Sequence, residues 1–309
     1  SGLNRYGFIT PVVQPTTQPQ VSKTSQGVTI KTGKLGLKIN YSTGSIRVTE
    51  GNSDKVLLDQ VASSFKDGVS EAVFNAAKDE DWIGFGDQAR THLYHRGRIA
   101  DCDIRYKTST YIPVPFFMST KGVGVVVNTT YRTIFDMCKT KPDSYNWINE
   151  SGTIDYYLFV GKDYKQILDL YTSLTGRPKL PPHWAFGLWF ICREQASDYE
   201  VIDCAVNLRR EEIPCDVIGL EPGWMSKNYD YSVKKQWHPE RFPHPWWFGD
   251  SRPPSFVPPL KNMGYKLKLW LCMNYDLSYE AERQVGNNPT LAALAPADNA
   301  NATSPVFFD

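Results

Sequence analysis

Trp184-Ala-Phe-Gly-Leu-Trp-Phe-Ile-Cys192, Ser197-Asp-Tyr-Glu200 and Cys215-Asp-Val-Ile-Gly-Leu220, taken in that order, decide the fold. The first is a short apolar run of buried-strand type. In the second, Ser197 and Glu200 stand three apart as a capping box, and Val201, Cys204, Ala205 and Leu208 give the following helix one apolar stripe. Pro214 stops that helix, and the third run is the next buried strand. Lys266-Leu-Lys-Leu-Trp-Leu-Cys272 repeats the strand pattern. Strand, helix, strand with apolar strands builds right-handed crossovers, and so a parallel sheet or barrel. An eight-stranded barrel takes about 250 residues. Residues 183–309 hold three strand candidates, so either the barrel continues in further sequence, or another chain supplies the rest, or this half is a smaller α/β layer that closes differently. The first is favoured, and the expectation is the start of a (β/α)8 TIM barrel, incomplete in this chain.

Upstream the period changes. Val28-Thr-Ile-Lys, Leu35-Gly-Leu-Lys-Ile-Asn-Tyr and Ser45-Ile-Arg-Val-Thr are short runs separated by Thr-Gly, Ser-Thr-Gly and Gly-Asn-Ser turn signals. The pattern continues through Ile104 to Tyr111, Phe116 to Met118, Val123 to Thr130 and Asp155 to Val160, which predicts an antiparallel β-sandwich over residues 1–160. Tyr164, Ile167, Tyr171 and Leu174 then share one helical face, with Gly176 as its C′ residue and Pro178 behind it. That helix and the proline-rich run to Pro182 make residues 161–182 a connector, and 183–309 are expected to be the first part of the barrel domain.

The length of 309 residues fits two domains or one large barrel. A formal charge of +1 gives no drive toward nucleic acid or an anionic membrane, so neither is expected as a partner. The longest apolar runs fall short of the roughly 20 residues that span a bilayer. The chain opens Ser-Gly-Leu-Asn, with no charged segment leading into an apolar run, so a signal peptide is expected to be absent from it. Six widely spread cysteines without a CxxC read as mostly buried thiols rather than a disulfide framework. Sequons at Asn40, Asn128, Asn149 and Asn301 would admit glycans in an extracytoplasmic setting, but the compartment stays open.

Working groups of a parallel barrel project from the carboxyl ends of its strands. Those ends are Cys192-Arg193-Glu194, Glu221-Pro222-Gly223-Trp224 and Met273-Asn274-Tyr275-Asp276. Carboxylates bond vicinal hydroxyls and aromatic faces stack on apolar sugar faces, so Arg193, Glu221, Trp224, Asn274 and Asp276 are the candidate sugar-binding residues. The alternative is structural: Glu221 caps a loop, Trp224 fills a core edge and Asp276 caps the next helix. His92 and His95 lie beside three arginines without a third ligand, so a solvated basic loop is expected there and no metal site. Asp79-Glu-Asp-Trp82 lacks the alternation of a calcium loop and reads as an exposed turn. No nucleotide-binding or serine-hydrolase motif stands in a supporting context.

One longer stretch, Thr175-Gly-Arg-Pro-Lys-Leu-Pro-Pro-His-Trp-Ala-Phe-Gly-Leu-Trp189, resembles the family 31 glycoside hydrolases, the α-glucosidase and α-xylosidase group. The likeness extends to Ile213-Pro-Cys-Asp-Val-Ile-Gly-Leu-Glu221, to Trp224-Met225, to Trp237-His-Pro-Glu-Arg-Phe-Pro243 and to Gly264-Tyr-Lys-Leu-Lys-Leu-Trp270. Trp82-Ile-Gly-Phe-Gly-Asp87, Ile112-Pro-Val-Pro-Phe-Phe-Met-Ser119 and Gly122-Val-Gly-Val-Val-Val-Asn128 are similar to that family's amino-terminal, galactose-mutarotase-like sandwich.

The resemblance implies a retaining, exo-acting α-glycosidase that uses two carboxyl groups about 5 to 5.5 Å apart and needs no metal or organic cofactor. In the family those two Asp residues follow the fourth and sixth strands, so both are expected beyond Asp309, and the 309-residue chain alone is expected to be inactive. The family's second strand ends in an Asp that binds distal sugar hydroxyls, and Glu221 occupies that position here. The longer side chain, the Cys272-Met-Asn-Tyr-Asp276 ending of the third strand and the extra Trp246–Pro254 stretch depart from the family pattern, so glucose preference is not implied. The rival reading is a non-catalytic carbohydrate-binding fragment, or one half of a two-chain enzyme whose second chain completes the barrel.

Overall fold

The computed structural model describes residue 9 and residues 18–271, except 52, 54, 89–91, 104–109, 111, 228–229, 231–234, 245–246 and 248–252. Two compact units divide at Pro178 and Lys179. In the first, thirteen strands follow one another: β1 Gln20–Lys23, β2 Gly27–Lys31, β3 Leu35–Asn40, β4 Ile46–Glu50, β5 Val56–Lys66, β6 Val69–Asn75, β7 Trp82–Gly86, β8 Arg98–Cys102, β9 Pro113–Ser119, β10 Val123–Val127, β11 Thr133–Met137, β12 Ser144–Asn149 and β13 Tyr156–Val160. They form a nine-stranded sheet, β1-β2-β3-β4-β5-β6-β12-β11-β8, and a four-stranded sheet, β13-β10-β9-β7. Every pairing is antiparallel, and the two sheets make the predicted sandwich. The strand expected over Ile104 to Tyr111 lies outside the described residues except for Thr110.

Alternation decides which face is core. In β6, Ser70, Ala72 and Phe74 are buried while Val69, Glu71 and Val73 are half-exposed. Phe74, Phe135 and Trp147 from the large sheet meet Phe117 and Val125 from the small one, with the Phe74 and Trp147 rings 4.4 Å apart. Strand β10 breaks the alternation because both of its faces are covered. Val123, Val125 and Val127 face the sandwich core, whereas Val126 packs under helix α1, Tyr164–Thr175. The helix bears down so closely that a Cβ on Gly124 would lie 2.4 Å from Ile167 Cγ2. Asp163 caps it by accepting from the Gln166 N–H at 2.8 Å, and Gly176 ends it at φ 94°. Ile167 is fully buried, so Ile167→Ala is expected to destabilise the sandwich by about 3 kcal/mol, measured by urea unfolding.

Two loops differ from their sequence reading. The turn Asp79 to Trp82 is not a plain exposed one. Glu80 is buried and accepts from Ser119 Oγ, and the Ala77 N–H donates to its other oxygen at 3.2 Å. Arg96 pins the same turn, donating to the Glu80 carbonyl at 2.6 Å and to Pro142 at 2.7 Å. Nor is His95 in a solvated basic loop: it is 4% exposed, against the edge of Phe85. Burial, reinforced by the positive charges of His92 and Arg98 and only partly opposed by Asp81, pushes its pKa from 6.5 down to about 4.

A group with a depressed folded pKa of this sign binds its proton more readily when unfolded. Its contribution is whole above about pH 6.5 and is lost as pH falls toward 4. Glu80, raised by burial, works in the opposite sense at the acid end of that window. The net expectation is an acid loss of up to about 3 kcal/mol in sandwich stability. His95→Phe should flatten that profile in denaturant titrations at a series of pH values.

Two sequons are also closed by the fold. Asn128 and Asn149 are 3% and 1% exposed, and Asn149 donates to Thr133 Oγ1 at 2.6 Å. Asn40 is exposed, and Asn301 lies outside the described residues.

The second unit opens on a 3-10 turn, His183–Phe186, and continues as β14 Trp189–Ile191, α2 Asp198–Arg210, β15 Val217–Leu220, α3 Val257–Asn262 and β16 Lys266–Leu269. The three strands pair in parallel in the order β14-β15-β16. This is the start of a barrel, as the β-α-β pattern predicts. The capping box forms in full: Ser197 Oγ accepts from the Glu200 N–H, and Glu200 accepts from the Ser197 N–H at 2.9 Å. Central β15 is buried at every residue. The Trp184–Cys192 run is shorter as a strand than its apolar length suggests, and Trp189, Phe190 and Ile191 remain 37–41% exposed. They sit on the edge strand, where pairing and cover come from one side only among the described residues.

Candidate functional site

Parallel pairing brings the carboxyl ends of β14, β15 and β16 to one edge of the sheet, and residues 192–194, 221–224 and 270–271 follow directly from them. Ladder bonds run up to this edge. The Cys192 N–H donates to Gly219 at 2.9 Å, and the Trp270 N–H donates to Leu220 at 2.9 Å. Glu221 therefore leaves the sheet where β15 stops, and Pro222–Trp224 turn at once into a 3-10 helix whose N-cap is Glu221. The Trp224 N–H donates to the Glu221 carbonyl at 3.1 Å, while the Glu221 carboxylate makes no capping bond. The loop thus uses the backbone of Glu221 and leaves its side chain for other work.

Arg241 binds the first two strand ends together. Its Nη1 donates to the Glu194 carbonyl at 3.2 Å and to the Gly223 carbonyl at 2.9 Å. The approach leaves no room for a side chain at Gly223, where a Cβ would stand 2.0 Å from the Glu194 oxygen and 2.5 Å from Arg241 Nη1. The Arg241 carbonyl accepts from the Asp198 N–H at 2.8 Å, which ties the same knot to the start of α2. Arg241→Met keeps the packing stem but leaves two inward carbonyls without this donor. A loss of about 2 kcal/mol is expected in the unfolding free energy of this unit. Sequence reasoning missed Arg241 as a positioning residue. Its signal is its place inside Trp237-His-Pro-Glu-Arg-Phe-Pro243, a run of aromatic and proline residues that brings a cation among apolar neighbours.

Trp224 links the second end to the third. It is 5% exposed, and its Nε1 donates to the Trp270 carbonyl at 2.8 Å. Its ring centroid lies 4.9 Å from that of Trp237, which continues into Phe242 and Phe256 as an apolar cluster beneath the loops. Arg193 is exposed and paired with Glu200, holding that carboxyl below the usual range through its hydrogen bond. Burial pushes the neighbouring Cys192 thiol up to about 12, so it is not a thiolate nucleophile at neutral pH. Asn274 and Asp276, with the rest of the third strand end, lie outside the described residues. Of the five candidates, the fold brings the loops carrying Arg193, Glu221 and Trp224 to one edge, but the Trp224 ring is buried in the apolar cluster, as the core-edge alternative has it, and offers no open face for a sugar to stack on. Among the described residues no group of three or more His, Cys, Asp or Glu side chains is placed to hold a metal.

The chain matches two family models in order. The glycosyl hydrolase 31 N-terminal galactose mutarotase-like domain covers residues 3–136, and the glycosyl hydrolases family 31 TIM-barrel domain covers residues 178–292. Among curated proteins, an isomaltosyltransferase of Sporosarcina globispora is 26% identical over 233 residues, 68% of this chain and 21% of that protein. Alpha-glucosidase 2 of Bacillus thermoamyloliquefaciens is 38% identical over 115 residues, 36% of this chain and 14% of that protein. A dextranase of Flavobacterium johnsoniae, solved in complex with glucose, shares the fold with a TM-score of 0.73 at 24% identity, over 89% of this chain and 33% of its own. The chain therefore spans a small part, 14 to 21%, of the length of these two curated relatives.

Proposed function

Because this chain belongs to family 31 of the glycosyl hydrolases, we propose that it furnishes the amino-terminal sandwich and the first barrel strands of a retaining, exo-acting α-glycosidase. The observation that carries the reading is the position of Glu221. It is the first residue past the buried central strand, on a loop held by Arg241 and Trp224, with a carboxylate that the loop does not use for capping.

In this reading Glu221 accepts hydroxyl hydrogens of the terminal sugar, with Arg193, Asn274 and Asp276 as its proposed companions and Trp224 holding the loop between strand ends. The nucleophile and the acid/base are carried on polypeptide other than these 309 residues. The nucleophilic carboxylate attacks the anomeric carbon as the glycosidic bond breaks, and the acid protonates the departing oxygen. The same group, now a base, takes a proton from water as that water displaces the enzyme carboxylate. What this chain contributes is binding and orientation, so that remote hydroxyl contacts lower the barrier at the reacting centre. Glu in place of a shorter carboxylate moves the acceptor by about one methylene, which favours a sugar whose hydroxyl pattern differs from that of glucose.

The test is hydrolysis of aryl α-glycosides of gluco, galacto, xylo and N-acetylated configuration by the complete gene product. Turnover of at least one is expected. Inactivity on all four would overturn the proposal.

A further inference from the structure

Strand register lays a polar row across the face of the nine-stranded sheet that points away from the core. Thr29 stands opposite Lys38, Lys38 opposite Arg47, and Arg47 opposite Asp59. The alternate residues Val48 and Leu58 go into the core, which fixes the row on the outer face. These four residues, with Asn40 and Val61, line a cleft of about 570 Å³. A solvated sheet face is ordinarily polar. Here, however, Arg47, Asp59 and Asn40 are held in place and keep bonding capacity to spare, beside the ammonium of Lys38, unpaired among the described residues.

Arg47 forks onto Asp59, Nε to Oδ1 at 3.0 Å and Nη2 to Oδ2 at 3.1 Å, and Asn75 Nδ2 adds a third bond to Asp59 at 2.8 Å. Burial pushes the Asp59 carboxyl up, but these partners outweigh it and hold its pKa below the usual range, so it stays an anion. Three bonds leave a carboxylate with about one further lone-pair site. Arg47 Nη1 and Lys38 Nζ have no hydrogen-bond or ion-pair partner among the described residues. Asn40 is locked in a turn, with Oδ1 accepting from the Ser42 N–H at 2.9 Å and the Thr43 N–H at 3.1 Å, which leaves its Nδ2 hydrogens unengaged.

The held donors Arg47 Nη1 and Asn40 Nδ2 beside the held Asp59 acceptor, on strands about 4.8 Å apart, match a ligand whose neighbouring hydroxyls each donate and accept. Exposed Val61 offers methyl groups to the carbon-bound hydrogens of a ring. Arg47 is neutralised by Asp59, so the row carries one unbalanced ammonium, too little to select a polyanion.

We propose that this cleft on the amino-terminal sandwich is a saccharide-binding site for a neutral oligosaccharide, separate in sequence from the strand-end loops. It goes beyond the proposed glycosidase activity and does not require it, because binding can be read without turnover.

Calorimetric titration of the 309-residue chain with maltoheptaose, isomaltoheptaose and a xyloglucan heptasaccharide tests it. Saturable binding of at least one sugar is expected. The double variant Lys38→Ala, Thr29→Val should raise the dissociation constant about tenfold with an unchanged unfolding midpoint, since two polar contacts to the ligand are removed. Arg47→Lys, which keeps the charge but loses the fork, should weaken binding as well. The proposal is overturned by absence of saturable binding in the millimolar range, or by binding that the double variant leaves unchanged. Binding abolished by Glu221→Gln would place the ligand at the strand ends instead. A steep decline with added salt would mark an anion site and also overturn it.

Discussion

Glu221→Gln is expected to lower kcat/KM for the preferred aryl α-glycoside about a hundredfold in the complete gene product, with an unchanged unfolding midpoint. The substitution keeps shape and removes charge. A carboxylate accepts from two hydroxyls through charge-assisted bonds worth about 1.5–3 kcal/mol each, whereas an amide presents one acceptor and one donor, so one hydroxyl meets the wrong partner. Each 1.4 kcal/mol is about a factor of ten in rate. Stability should not respond, because the side chain makes no capping bond in its own loop. Glu221→Asp separates charge from reach, and it should change the ranking of sugars more than the turnover of the best one. Unaltered kinetics in Glu221→Gln would remove Glu221 from the pocket.

Gly223→Val should destabilise the second unit by about 4 kcal/mol, read as an early transition in urea unfolding of the 309-residue chain. The first β-carbon alone would stand 2.0 Å from the Glu194 carbonyl oxygen, which is backbone and cannot swing aside. Relief requires the loops after β14 and β15 to separate, and that separation breaks both Arg241 bonds. Overpacking costs about 1–3 kcal/mol and each carbonyl left without its donor about 1–3 more. Gly264→Ala is a useful contrast: the nearest atom there is the end of the Arg209 side chain at 4.0 Å, so the strain at φ 85° is confined to the backbone. A Gly223→Val chain as stable as the parent would mean that the two strand ends are not locked together.

Much of the fold was legible because its signals are local. The Ser197 and Glu200 capping box, the Val201 and Ala205 stripe and the four buried residues of β15 depend on residues three, four or one apart, and each forms as read. The helix after Asp163 is equally local in its cap and its Gly176 stop. What was not legible depends on contacts between distant segments. Nothing near His95 in the chain announces Phe85 as its neighbour, and Glu80 is buried by Ser119, thirty-nine residues away. A sequon carries no information about cover, so buried Asn128 and Asn149 look the same as exposed Asn40. The site followed the same division. The strand-end rule puts the loops carrying Arg193, Glu221 and Trp224 at one edge of the sheet, but Arg241 reaches the Glu194 and Gly223 carbonyls of those loops from a proline-rich excursion with no periodicity to reveal where its guanidinium goes.

The most direct test of the central claim, that this chain builds part of a retaining α-glycosidase pocket, is the anomeric configuration of the first product. Proton NMR of aryl α-glycoside hydrolysis by the complete gene product should show the α-anomer of the released sugar first, with the β-anomer arising later by mutarotation. A β-anomer appearing first would contradict the double-displacement mechanism.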